Sequence, residues 1–136
     1  MTVVLVDVAN VVGSRPDGWW RDRAGATTRL LHRLAGLTGR VLPGPDGAPV
    51  PVTALVAVVE GAARAAEVPP GVRVVRAEGS GDDALAALAA DLAGRPADGL
   101  LVVTADRGLR ARLPAAARVA GPGWLLAEAD ATTGAG

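Results

Sequence analysis

Cysteine is absent from the 136 residues, which removes disulfides, zinc–thiolate sites and thiol nucleophiles at once. Lysine is absent too, so every basic side chain besides His32 is an arginine. Phe, Tyr and Ile are missing, and three Trp are the whole aromatic inventory. The core must therefore be built from Val, Leu and Ala, and little ring surface is left for stacking bases. Net charge is also lacking: 14 basic side chains stand against 14 acidic ones. There is no overall pull towards a polyanion, although a local patch still suffices to bind one. No apolar run approaches the length of a bilayer span, and no basic stretch precedes the first apolar run. The expectation is a cytoplasmic protein with no membrane partner.

What is present is a chain that is 50% hydrophobic, enough for one ordinary domain around a single core. Thr2 to Val8 is almost wholly apolar and β-branched, with Asp7 near its end. So short a continuous apolar run reads as a strand covered on both faces, as in a parallel sheet. Val52 to Val59, Val72 to Arg76, Gly99 to Val103 and Ala117 to Ala120 read as further strands. Helical spacing runs over Trp19 to Leu37, where Gly25 and Thr27-Thr28 predict a late start. It returns over Asp82 to Leu92, where Leu85, Leu88, Ala89 and Leu92 form one stripe and Gly94 is the stop. Ala62 to Glu67 and Asp106 to Leu113 read as shorter helical pieces. Asn10 to Gly18 reads as a loop, and Gly39 to Pro51 as a loop or short hairpin. Strands alternating with helices imply βαβ units and right-handed crossovers. The expected fold is α/β, a three-layer α/β/α sandwich with a central, mostly parallel sheet of about five strands. Residues 1–123 are expected to form the domain, and 124–136 a helical turn with a frayed tail.

The chemistry lies in the acids at the ends of these runs. Ligands of an open parallel sheet bind beyond the C-terminal strand ends, where strand order reverses. Asp7 ends the first run (VVLVD), and Thr104 and Asp106 follow the fourth (LLVVTAD). If those two strands are neighbours, the three groups face one another. Asp82 and Asp83 open the helix leading into the fourth strand, within Gly79-Ser80-Gly81-Asp82-Asp83, where Ser80 is placed to cap. Asp82, Asp83 and Asp106 each also have an ordinary reading as helix-start residues. Asp7 does not: it lies inside an apolar run, and a buried unpaired carboxylate is costly, so it needs a partner or a cation. Asn10 either shapes the following turn or joins the cluster. Glu60, at the end of the second strand, is the weakest candidate. His32 reads as a helix-face residue, and Trp19 and Trp20 as packing for the first long helix, with stacking of a base as their alternative. Oxygen-only ligation suits Mg²⁺ or Mn²⁺ rather than zinc, and the chemistry that fits is metal-assisted phosphodiester hydrolysis.

Three motifs in this order, DVAN (Asp7 to Asn10), GSGDD (Gly79 to Asp83) and TADRGL (Thr104 to Leu109), resemble the NYN branch of the PIN-like nuclease superfamily. The resemblance runs from Thr2 to about Gly123. It implies a metal-dependent endoribonuclease with RNA as substrate. Asp7, Asp83 and Asp106 would hold Mg²⁺ or Mn²⁺, Asn10 and Asp82 would ligate or support, and Thr104 would orient the cluster. Arg15, Arg21, Arg23 and Arg107 are then candidates for the phosphate backbone, with binding that weakens as salt rises. One departure stands out: relatives often carry a further acid after the last motif, where this chain has Arg107 and Gly108.

Two rival readings remain at this stage. One is a catalytically inactive PIN-like module that binds nucleic acid or protein; the apolar Trp124-Leu125-Leu126 stretch is compatible with a docked partner or a homodimer. The other is a carboxylate- and Mg²⁺-dependent phosphatase or nucleotide hydrolase. Against it, Ala9 stands two residues after Asp7, where aspartyl phosphatases place a second Asp. Neither GxxxxGK[ST] nor GxGxxG after the first strand is present, which disfavours ATP and NAD.

Overall fold

Strand β1 (Thr2–Asp7) is buried along its whole length, which only a strand in the middle of a covered sheet achieves. Accordingly it pairs in parallel with β3 (Val50–Val59) on one side and β5 (Gly99–Val103) on the other. The parallel sheet extends outwards through β4 (Arg73–Arg76) beside β3 and β6 (Arg118–Ala120) beside β5. A two-residue strand, β2 (Val41–Leu42), pairs antiparallel with the start of β3, so the expected short hairpin is present. The chain winds outwards from β1 through β3 to β4, then crosses back to β5 on the opposite side of β1. The reversal therefore falls between β1 and β5. The computed structural model describes residues 1–95 and 99–135.

Successive side chains of a strand point to opposite faces, and helices cover both. Val4 and Val6 join Val8 and Val11 of α1 (Val8–Gly13), Leu30, Leu31 and Leu34 of α2 (Arg23–Leu34), and Leu125 of α5 (Pro122–Ala135) in one core. Val3 and Leu5 join Leu85 and Ala89 of α3 (Gly81–Ala93) and Leu109 of α4 (Arg107–Ala111) in the other. The chain is thus a mixed α/β protein around a central, mostly parallel sheet.

Two segments differ from the sequence reading. Residues 8–13, expected as loop, form α1, because Asp7 caps it and burial of Val8 and Val11 outweighs the modest helix propensity of β-branched residues. Helix α5 runs on to Ala135, beyond the short helical turn expected, with Leu125, Leu126 and Ala129 buried along one side. Residue 136 of the expected tail lies outside the described residues. The late start of the first long helix holds: a 3₁₀ turn occupies Trp19–Arg21, and Asp22 then caps α2 by accepting from the Gly25 N–H at 2.9 Å. Among the described residues no helix is long and apolar enough to cross a membrane.

Candidate functional site

Asp7 has two structural duties, as the last residue of β1 and the cap of α1. Its Oδ1 accepts from the Asn10 N–H at 3.4 Å, and its Oδ2 accepts from the Thr104 hydroxyl at 2.8 Å. Thr104, fully buried just past β5, also accepts from the Asp106 N–H at 3.1 Å. Asp106 caps α4 through the Leu109 N–H at 2.9 Å. A second strap joins the two turns: the Asn10 Oδ1 accepts from the Ala105 N–H at 2.8 Å. Arg110 donates twice to the Thr104 carbonyl, at 3.0 and 2.7 Å, and holds the turn from the α4 side. The neighbouring ends of β1 and β5 are thus fastened together by side chains at the strand-order reversal.

Beyond these ends lies an open cleft of about 330 Å³, lined by Asp7, Ala9, Asn10, Glu60, Ser80, Asp82 and Asp106. Its four carboxylates come from four chain segments: the ends of β1 and β3, the start of α3 and the start of α4. Glu60 is oriented by the Gly81 N–H, which donates to its Oε2 at 2.8 Å. Gly81 leaves room for this approach: a Cβ there would lie 2.9 Å from the Glu60 Cδ, and the carboxylate would have to shift. Ser80 caps α3 by accepting from the Asp83 N–H at 3.3 Å.

The acids repel one another. Burial pushes the Asp7 carboxyl above the ordinary aspartate range; its hydrogen bonds from Thr104 and Asn10 pull it down, and the charges of Asp82 and Asp106 push it up again. Asp82 is likewise raised, by partial burial and then by Asp106 and Glu60, with Arg112 as a counterweight. Like-charged groups crowded together favour a bound cation, and oxygen donors are the type a hard divalent ion takes. The donor chemistry therefore fits Mg²⁺ or Mn²⁺. Among the described residues no three His, Cys, Asp or Glu side chains already stand close enough to share one ion. A Mg²⁺ site with one or two carboxylates and several waters has no need of such a group.

Of the candidate residues, Asp7, Asn10, Asp82 and Asp106 line the cleft and Thr104 lies directly behind it. Asp83, expected among the metal ligands, does not line it: its Oδ1 pairs with the Arg112 Nη1 at 2.8 Å in the open. Consecutive helix residues are turned by about 100° from each other, so only one of the pair can face the sheet edge. Glu60, ranked last from sequence, lines the cleft. The signal for it was its place at the end of a strand next to β1. None of the four arginines lines the acidic cleft. Arg15 lines a neighbouring groove and pairs with Asp130 at 3.0 Å. Arg23 lies over the Trp19 ring, 5.3 Å from its centroid. Arg21, the last residue of the 3₁₀ turn, and Arg107, the first of α4, are exposed. Trp19 and Trp20 meet edge to face at 6.0 Å beside α2, and His32 is exposed on that helix, as its spacing suggested.

The sequence matches no protein-family model and no curated protein. In shape it is similar to the crystal structure of Rae1 (YacP) from Bacillus subtilis, with a TM-score of 0.71 at 18% identity over 99% of this chain and 77% of that one. A tryptophan-to-leucine mutant of the same protein matches equally well, with 79% of that chain covered. At this identity the likeness establishes a shared fold.

Proposed function

We propose that the chain is a Mg²⁺- or Mn²⁺-dependent endoribonuclease with a PIN-like α/β/α sandwich of the NYN kind. The observation that carries the reading is the cleft at the β1/β5 reversal, where Asp7, Glu60, Asp82 and Asp106 converge from four segments. The shared fold with Rae1 supports it, as do the three motifs of the sequence. One or two of Asp7, Asp82 and Asp106 would hold the ion directly and the rest through its bound waters, and Glu60 would supply the further acid that is missing after the last motif. When bound, the ion supplies charge neutralisation at the phosphate and acidification of a water. Thr104 and Asn10 orient the Asp7 carboxylate through the hydrogen bonds they donate to it. Asn10 also keeps the Ala105 turn closed against α1. The overall reaction is hydrolysis: an oxygen from water bonds to phosphorus, the bond to the leaving ribose oxygen breaks, and that oxygen takes up a proton.

The test is cleavage of single-stranded RNA with Mn²⁺, comparing wild type with Asp7→Asn. The variant is expected to lose activity while remaining folded; equal rates would defeat the assignment. The rival, an inactive binding module, is favoured by one observation, the engagement of Asp83 by Arg112 outside the cleft. Thermal melting separates the two, because an ion at about 100 times its Kd stabilises the fold by about 2.7 kcal/mol. No shift at millimolar Mn²⁺ would favour the module.

A further inference from the structure

Beside the acidic cleft, sharing Ala9 and Glu60 with it, lies a second cavity of about 560 Å³. Its walls include Trp19, Arg23, Arg64 and Glu78. Trp19 carries the Arg23 guanidinium over one face of its ring, and Trp20 meets it edge-on. In a chain with three aromatic side chains in all, this places one of them beside the candidate reaction centre. We propose that this cavity is a nucleobase subsite, which takes one unpaired base of the RNA strand whose neighbouring phosphate lies in the acidic cleft. The proposal rests on the nuclease reading and gives it a substrate class, single-stranded rather than paired RNA.

Three features favour a base over other occupants. An indole and a guanidinium layered on it form the kind of planar surface on which bases stack. The charges of the lining cancel, with Arg23 and Arg64 against Glu60 and Glu78, so the cavity suits a neutral polar ring better than a phosphate. Those same groups supply donors and acceptors for a base edge, with carboxylates accepting from exocyclic amines and arginines donating to ring nitrogens and carbonyls. A duplex cannot offer a base in this way without unpairing it. The cavity shares Ala9 and Glu60 with the acidic cleft, so an occupied subsite would fix where the backbone crosses the acids.

The test uses the full chain and fluorescein-labelled single-stranded oligoribonucleotides, with Kd read by anisotropy and cleavage measured with Mn²⁺. Trp19→Ala and Arg64→Ala are each expected to raise Kd and KM about tenfold with kcat nearly unchanged, because stacking acts equally on ground and transition states. Arg40→Ala, which removes an exposed arginine near the start of β3 at the other end of the sheet, should change neither. An abasic residue at one position of the oligonucleotide should weaken wild type by the same factor and Trp19→Ala little further. Should Trp19→Ala fail to fold, Arg64→Ala and the abasic series on wild type decide. If wild type cleaves RNA but Arg64→Ala keeps its KM and every abasic position is neutral, the subsite is refuted and the nuclease reading stands. If wild type neither binds nor cleaves RNA, the nuclease reading falls and the subsite with it.

Discussion

Asp7→Asn separates the structural role of the cluster from its chemical one. Asp7 is only 8% exposed and its carboxyl is raised, burial being the largest cause. The ionised form is therefore disfavoured in the fold even after its two hydrogen bonds are counted. Asparagine keeps the shape, accepts from the Asn10 N–H and donates to the Thr104 oxygen. Its hydrogen bonds are weaker by about 1 kcal/mol for the Thr104 contact and less for the long Asn10 contact. Against this stands the removal of a buried charge, which costs several kcal/mol when unpaired. The expected net effect without metal at neutral pH is a gain of about 1 kcal/mol, or about 3–5 °C in Tm for a domain of this size.

The sign has a pH signature. A carboxyl raised in the fold keeps a proton that the unfolded chain has already released, so wild-type stability falls as pH climbs from the unfolded value of 3.8 through the raised one. The advantage of the variant should therefore be full above the raised range and vanish at about pH 3.8 and below. Melting both proteins by circular dichroism across this range, with chelator present, measures the difference directly and cancels the other titrating groups. A wild type that outperforms the variant by a margin growing with pH would refute the reasoning, since it would mean that the hydrogen bonds outweigh burial. Saturating Mn²⁺ should reverse the order, lifting wild type by about 2.7 kcal/mol at 100 times Kd and the variant by much less.

Thr104→Val leaves the buried Asp7 Oδ2 and the Asp106 N–H without their shared partner, so stability should fall by about 1–3 kcal/mol in denaturant titration. It also removes a bond that lowers the Asp7 carboxyl, so the acid limb of the pH–rate profile should move to higher pH. Asp82→Asn should abolish most of the Mn²⁺-induced rise in Tm, whereas Asp83→Asn, which breaks an exposed ion pair, should keep that rise and cost at most about 0.5 kcal/mol. The opposite ranking would return Asp83 to the ligand set. Gly81→Ala should displace the Glu60 carboxylate, because its Cβ would lie 2.9 Å from the Glu60 Cδ; Mn²⁺ affinity should drop about tenfold by fluorescence-monitored titration with little loss of helix α3.

The sheet was legible because its strands announce themselves in two ways. The runs around Val3–Val6 and Leu100–Val103 are apolar at every position, which only strands buried on both faces require. Polar residues follow both runs at once, so neighbouring strands would bring Asp7 and Thr104 together, and the β1–β5 pairing does so. Helix α1 was hidden by composition. Its valines speak for a strand and Gly13 for a turn, and the capping by Asp7 that starts it shows only when the strand end is known.

The orientation of the acids on α3 had a signal in the sequence that the choice of Asp83 as ligand passed over. Leu85 and Ala89 are buried against the sheet, and Asp82 precedes them by three and seven residues, on the same helical face. Asp83 is one residue out of phase and falls in line with the exposed Ala87 and Ala90, where Arg112 meets it. The phase of the apolar stripe therefore turns Asp82, rather than Asp83, towards the cleft. Glu60 follows from the same kind of reasoning applied to the sheet. Asp7 is in register with Val58 of β3, so Glu60, two residues further on, projects past the same edge. Acids that end adjacent parallel strands share one edge whatever their spacing in the chain, and a carboxylate there weighs more than its sequence neighbours suggest.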